Sequence, residues 1–590
     1  MDGRGADPRL DGGRHRVVAA DVFAELALYE PGPRARDAAR EPDQQRHRYR
    51  RHRRRRAVRR HGCRGFLCGV PHPRQVPDPV LARRTARPGG DARFLPHSCR
   101  ADHSHGCRRG CDLGGARLHR GRYPAAGGCA RLFRRAGLRG GTPGLWRKSR
   151  LPPDAGRPPQ GIGLLWRKDG TDMNALITNT AALNAGDAAI LFATAGILHR
   201  AMGDDLHVTA CDLQAGAAAR AYPDLDVHPT MFGALQDSTG RNGSMRAGFA
   251  RALIAARLWH TPLGSRVARS LPPAVRGALD RIAAARVVVS AGGTYLVPHY
   301  RVLPKLADLL VAYAMGRPYV LFTQSLGPFP RGRDGRMLGF VLRHARLILV
   351  RDTRSRHYLE ALRVRPERII ECADAAFALP LPSERRCDSQ ARENRGPLQV
   401  AISVRDWPHM RSSDGMTTYF DAVAALTSDL VTRHGAEVTF VSTCQGAGDY
   451  WTDDSATAAA VVRRLDPPLR DAVRIDRDFH TPWQLMSVLG RFDAVVATRL
   501  HVAILALLMG VPVLPIAYEF KTSELFAKLG LGGLVQDIET VTPEGLCAAF
   551  EHFLAVRSDL SAIIPGLVAK ERRSAFAAGE HVKEALAVAS

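Results

Sequence analysis

The chain has 590 residues and a formal net charge of +28, but residues 1–172 hold 37 Arg and 2 Lys against 16 acids, while the other 418 hold 41 Arg and 5 Lys against 41 acids. The longer part is near neutral, which removes the electrostatic argument for nucleic acid binding there. Its five scattered cysteines (Cys211, Cys372, Cys387, Cys444 and Cys547) contain no C-x-x-C pair and exclude a disulfide framework, and no basic-then-apolar leader follows Met173.

Residues 1–172 read as a basic segment without apolar periodicity of either 2 or 3.6 residues. Runs such as Arg46–Gly62 pack like charges too closely to fold alone. Three readings compete for this segment. It is a basic arm that binds nucleic acid or anionic lipid through phosphates. It is a zinc site built on Cys63, Cys68, Cys107 and Cys111 with His103 and His105, although that spacing matches no tetrahedral framework. Or it is a GC-rich reading frame translated from too early a start. An AAG codon for Lys168, followed by the Asp169 codon, would spell a purine-rich ribosome-binding sequence a few codons before Met173; this favours the third, so the working protein is expected to begin at Met173.

From Met173 the text alternates short apolar strands with amphipathic helices, the pattern of parallel sheets covered on both faces. The first half predicts strands over 174–180, 206–212, 285–290, 318–325 and 347–351. Helices are predicted over 187–202, 246–260, 303–315 and 334–343. Pro380–Pro397 is polar, bounded by prolines and without period, and is the expected linker. The same grammar then restarts, with strands over 400–404, 437–442, 472–475, 494–498 and 513–516. Between them come helices over 419–434, 455–465, 482–491 and 502–509. Val502–Tyr518 carries no charge, but Gly510, Pro512 and Pro515 break it, so it reads as a buried helix, turn and strand rather than a membrane span. The expectation is α/β: a first Rossmann-like domain over 173–379, a linker over 380–397, and a second over 398–590 with terminal helices. The two doubly wound sheets face a cleft.

Ligands of such sheets bind beyond the carboxyl ends of the strands, so the residues there carry the functional signal. Asn184-Ala185-Gly186-Asp187 opens a helix, with Gly186 admitting close backbone approach and Asp187 placed to cap. Gly292 and Gly293 form a glycine turn that is not a dinucleotide fingerprint, and Gln324, Gly327 and Pro328 follow another strand. Arg351-Asp352, Arg405-Asp406 and Arg499-Leu500-His501 end three strands, and Lys521 follows a fourth by a short loop. Arg499 and His501 are expected at a solvent-facing helix start, where free N–H groups favour an anion. Three Arg, one His and one Lys at adjacent strand ends ask for a small substrate with two or three negative charges.

The order of these motifs, with Ser355, Asp374 in A-D-A-A-F and Ile504 after R-L-H, resembles the polysaccharide pyruvyl transferase family over about Ala175 to Leu529. Thr294 departs from it where many relatives carry a third glycine. The resemblance implies a GT-B-like fold, phosphoenolpyruvate as donor and co-substrate, and a cyclic pyruvate ketal on two hydroxyls of a glycan or lipid-linked oligosaccharide. His501 would be the proton-transferring group and Arg499 would neutralise the phosphate. Asn184, Gly186, Asp187, Gly292, Gly293, Gln324, Gly327, Arg351, Arg405 and Lys521 would bind substrate, the first domain taking the acceptor and the second the donor. No metal and no separate cofactor are expected. The expected place is cytoplasmic, at the inner face of the membrane through peripheral association. The rival enzyme is a GT-B glycosyltransferase using a sugar nucleotide, with Glu519 or Glu524 holding the ribose; a remoter rival is a nucleic-acid binder working through the basic arm.

Overall fold

The computed structural model describes residues 166, 173–239, 245–298, 300–382, 396–450 and 452–587. The basic segment apart from Trp166, the zinc reading on Cys63, Cys68, Cys107, Cys111, His103 and His105, residues 383–395 of the linker, and Cys387 all lie outside the described residues.

Two parallel sheets are built from short strands, most of them apolar. The first runs β1 (Asn174–Thr180), β2 (His207–Asp212), β3 (Val227–Pro229), β4 (Val287–Ser290), β5 (Tyr319–Gln324), β6 (Leu347–Val350) and β7 (Ile369–Glu371). The second runs β8 (Gln399–Ser403), β9 (Glu437–Phe440), β10 (Val473–Ile475), β11 (Ala494–Ala497), β12 (Val513–Ala517) and β13 (Gln536–Asp537). Their spatial orders are β3-β2-β1-β4-β5-β6-β7 and β10-β9-β8-β11-β12-β13. Each winds outward in both directions from its first strand, so the order reverses between β1 and β4 and again between β8 and β11. These switch points open crevices at the strand ends. The architecture is the expected α/β, GT-B-like pair of Rossmann-ordered domains.

The central strands VVVS, LILV and AVVA are buried along their whole length, which explains why they are continuous apolar runs rather than alternating ones. Val502–Tyr518 resolves as expected into the buried helix Leu500–Leu508, a turn and β12. Among the described residues no single helix is long and apolar enough to cross a membrane. The long crossover between β3 and β4 holds four helices, Met231–Thr239, Met245–Arg257, Pro262–Arg269 and Pro273–Ala284, where the sequence predicted one.

The core has two parts. One covers a single face of the first sheet, and the other runs continuously through both domains. At their junction Phe192, on helix Ala185–Met202, packs edge-on against Trp483 of helix Pro482–Leu489 at 4.9 Å, and Trp483 Nε1 donates to the Pro380 carbonyl at 3.2 Å. The last helix, Arg557–Ala587, follows the second domain in sequence yet packs on the first. Gly579 makes that possible: a Cβ there would stand 2.8 Å from the Ile197 carbonyl. Arg572 donates to the carbonyls of Phe377 (2.9 Å) and Leu379 (2.8 Å), and Arg346 to that of Ala585 (2.6 Å). By packing, then, the terminal helix belongs with the first domain rather than with residues 398–556.

Candidate active site

A cavity of about 360 Å³ lies where the two switch points meet. The first domain supplies Asn179 from the end of β1, Asn184 and Asp187 after it, Gly293, Thr294 and Tyr295 after β4, and Lys305 and Arg351. The second supplies Arg405, Thr443, Tyr450, Arg499, His501, Tyr518 and Lys521. Of the residues expected to bind substrate, Asn184, Asp187, Gly293, Arg351, Arg405 and Lys521 line this space together with Arg499 and His501. Gly186, Gly292, Gln324 and Gly327 do not line it; they shape what does.

Two backbone bulges prepare the first-domain wall. Parallel register slips in β1 between Ile177 and Thr180 and in β5 between Leu321 and Gln324. Asn179 and Thr323 there hold left-handed backbone (φ 64° and 44°), unfavourable for a β-branched threonine. The bulge turns Asn179 so that its amide donates to Ser290 Oγ (3.0 Å) and the Lys305 carbonyl (2.9 Å). Gln324 is buried and donates to the Tyr295 hydroxyl at 2.8 Å and to the Ala291 carbonyl, so it braces the glycine turn. Burial pushes the Tyr295 phenol up to about 12. Gly292 sits so tightly that a Cβ would be 2.7 Å from Thr323 Oγ1, and one on Gly327 would be 2.5 Å from the Tyr358 ring.

At the mouth of β1 the cap is Asn184, not Asp187 as expected: its Oδ1 accepts from Gly186 N at 2.9 Å, and its Nδ2 donates to Asp187 at 2.8 Å. Asp187 is the third residue of the helix, three positions past the cap, and lines the cavity instead. Across the cleft, the Ala185 amide donates to the Thr443 carbonyl at 2.9 Å, tying the two lobes. A Cβ on Gly186 would stand 2.6 Å from His501 Cβ and 2.7 Å from Nδ1, so this glycine is the surface against which the imidazole rests.

The cations are largely paired already, which sequence reasoning did not anticipate. Arg351 donates to Ser325 Oγ (2.7 Å), to Thr294 Oγ1 (3.0 Å) and to Asp374. Thr294, the departure from the family pattern, thus becomes a partner of Arg351. Asp374 lies 3.6 Å from His501 Nε2 and caps the turn that follows it by accepting from Ala376 N. Burial alone would raise the Asp374 carboxyl, but Arg351 and then His501 overcome it and hold it well below the usual carboxylate range. Arg499 forks onto Asp454 with 2.8 and 2.6 Å bonds and is only 8% exposed. The solvent-facing position expected for Arg499 is therefore corrected: a carboxylate 45 residues away in sequence draws it inside. Lys521 pairs with Glu519 at 2.8 Å, which engages the carboxylate a nucleotide ribose would need.

Two cations have no such partner among the described residues. Arg405 lies over the Tyr518 ring at 4.3 Å and over Trp407 at 4.9 Å. Lys305 stands 5.0 Å over the Tyr295 ring. Desolvation lowers the Lys305 ammonium despite Asp187, Asp212 and Asp308 around it. Lys305 carries no motif and was missed. The only signal was a lone lysine among Val302, Leu303, Leu306 and Ala307 at the start of an apolar helix. The free thiols Cys211, Cys372 and Cys444 are buried and lie outside the cavity lining.

Two Rossmann-ordered sheets meeting at their switch points around a cationic cavity define a GT-B-like scaffold. The polysaccharide pyruvyl transferase pattern matches residues 184–519, more than half of the chain, and the protein belongs to that family of transferases. It is 24% identical over 410 residues to the amylovoran biosynthesis protein AmsJ of Erwinia amylovora, covering 67% of this chain and 95% of that one. In fold it is similar to Anabaena HepE crystallised with UDP-glucose (14% identity, TM-score 0.45, 70% of this chain and 100% of that one). It is likewise similar to sucrose-phosphate synthase from Thermosynechococcus elongatus (11% identity, TM-score 0.45, 71% and 100%).

Proposed function

We propose that the protein transfers pyruvate from phosphoenolpyruvate to two hydroxyls of one sugar in a cell-surface polysaccharide or its lipid-linked precursor, forming a cyclic ketal. The observation that carries this is His501, backed by Asp374 and Arg351 and set among cations from both lobes, in a member of this family.

Phosphoenolpyruvate brings a carboxylate and a phosphate. Arg405 and Lys305, which have no carboxylate in ion-pair contact among the described residues, supply the excess positive charge. Lys521, Arg351 and Arg499 supply donors whose charge is already balanced. Protonation of the methylene carbon makes the adjacent carbon cation-like; the first sugar hydroxyl adds there and loses its proton. The carbon–phosphate oxygen bond then breaks, phosphate leaves, and the second hydroxyl closes the ring. The two hydroxyl protons end on the new methyl group and on phosphate, so the reaction balances with His501 only relaying protons. An imidazolium formed during the relay is stabilised by the Asp374 carboxylate, as in other acid–base pairs in which a buried acid supports a histidine. Asp187, which lines the cavity on the first-domain side, would accept from an acceptor hydroxyl.

The test is mass spectrometry of candidate glycans incubated with phosphoenolpyruvate, paired with melting scans in phosphoenolpyruvate, UDP, GDP and CMP at matched ionic strength. A ketal adduct and a melting shift with phosphoenolpyruvate are expected. A clear shift with a nucleotide and none with phosphoenolpyruvate would assign the cavity to a sugar-nucleotide donor instead.

A further inference from the structure

Far from any motif, the crossover between β3 and β4 is chemically unlike the rest of the folded chain. Residues 245–279 contain six arginines (Arg246, Arg251, Arg257, Arg266, Arg269 and Arg276) and no acid, in a part of the protein where basic and acidic residues otherwise nearly balance. Helices Met245–Arg257 and Pro262–Arg269 form a tight hairpin; a Cβ on Gly264 would stand 1.9 Å from the Leu258 carbonyl. On the first helix the exposed positions Arg251, Ile254 and Arg257 recur every three residues, one turn-spaced stripe. On the second, Leu263, Arg266 and Arg269 are exposed. Ile254 (43%) and Leu263 (56%) are two of only four large apolar side chains exposed among the described residues. Arg251, Arg257, Arg266 and Arg269 have no carboxylate partner there, and Trp259 is half-buried at the bend between the helices.

We propose that this hairpin is a docking surface for an anionic phospholipid membrane. Arginines interleaved with bare aliphatic side chains match a lipid interface, where phosphates meet the guanidinium groups and the acyl boundary takes up Ile254 and Leu263. Nucleic acid would use the arginines but leave both aliphatic side chains in water. A second copy docked symmetrically would set arginine against arginine. The hairpin packs on helix Val302–Ala314, whose first turn puts Lys305 into the cavity wall, so a docked membrane lies on the same lobe as the first-domain side of the cavity. The assignment rests on the surface alone and holds whatever group the cavity transfers.

The test is hydrogen–deuterium exchange on the full chain with vesicles of phosphatidylcholine or of equal parts phosphatidylcholine and phosphatidylglycerol. This readout is local, so binding by the basic residues 1–172 does not imitate it. Exchange across 245–270 should slow on the anionic vesicles and not on the neutral ones. Each arginine near an anionic surface contributes about a fivefold factor in partitioning. The combined Arg251→Gln, Arg257→Gln, Arg266→Gln and Arg269→Gln variant should therefore abolish the protection. Ile254→Ser with Leu263→Ser keeps every charge and should weaken it by roughly tenfold or more. Unchanged exchange over 245–270 on anionic vesicles would overturn the proposal, even if the chain sediments with them. So would equal protection by a soluble polyanion that survives the Ile254/Leu263 change, or protection that grows with protein concentration without lipid.

Discussion

Gly186→Ala isolates the position of His501 from every other property of the site. Gly186 lies in the first turn of helix Ala185–Met202 with ordinary helical backbone, so alanine should gain up to about 1 kcal/mol in helix propensity. Opposing this, the new methyl would lie 2.6 Å from His501 Cβ, 2.7 Å from Nδ1 and 2.8 Å from Cγ, well inside contact distance. Relieving it requires a movement of about 1 Å, and overpacking of this kind costs about 1–3 kcal/mol. The imidazole cannot retreat without changing its 3.6 Å separation from Asp374, and the lobes cannot part without breaking the Ala185–Thr443 bond. A displacement of about 1 Å at a reacting group lowers turnover about 100-fold. Gly196→Ala is the control: it sits on the same helix with nothing within 4 Å of the added methyl, and should leave turnover unchanged while keeping or raising the melting temperature. The assay is single-turnover ketal formation from phosphoenolpyruvate beside a melting scan of both variants. Near-normal turnover in Gly186→Ala with an undisturbed fold would show that His501 does not need this seat, and the proton-transfer role would fall with it.

Arg499→Ala should destabilise the fold by about 3–5 kcal/mol, because it strands Asp454 as a buried charge, and Asp454→Asn added to it should recover part of the loss in denaturant melts. Arg351→Met should cost a similar amount at neutral pH and progressively less in acid. Asp374 titrates abnormally low in the native protein, so its stabilising contribution is present above the ordinary carboxyl pKa and is lost as pH falls through the native value. Without Arg351 the burial penalty raises that carboxyl instead, so the gap between the two proteins must narrow on acidification, and a gap constant with pH would contradict the Asp374 pairing. Arg405→Met removes a cation with no carboxylate to strand, so it should weaken phosphoenolpyruvate about 10- to 100-fold by calorimetry with little change in melting temperature. Lys305→Met should also weaken ligand binding while raising the melting temperature at neutral pH, since it removes a desolvated charge; a fall in stability would mark Lys305 as structural.

Those contrasts follow from what the chain reveals about itself and what it conceals. The doubly wound fold was legible because its central strands are unbroken apolar runs, and its motifs fall at strand ends because switch points expose strand ends. The strands β3, β7 and β13, two or three residues each at the sheet edges, are too short to carry a period and were not legible, although β10, equally short and also at an edge, was. Neither was the return of helix Arg557–Ala587 to the first domain, which depends on a small residue, Gly579, meeting a helix nearly four hundred positions earlier. At the site, sequence picked out Arg351, Arg405, Arg499, His501 and Lys521 but counted every cation as free to meet an anion. Their difference lies in partners distant along the chain, Asp374 for Arg351 and Asp454 for Arg499, which no local pattern announces. A cation held by a buried carboxylate is oriented before any ligand arrives, and its charge no longer adds to the net potential of the cavity. Orientation therefore rests with the paired arginines and attraction with the unpaired Arg405 and Lys305. The two unpaired cations come one from each domain, so a dianion gripped by both would also hold the lobes together.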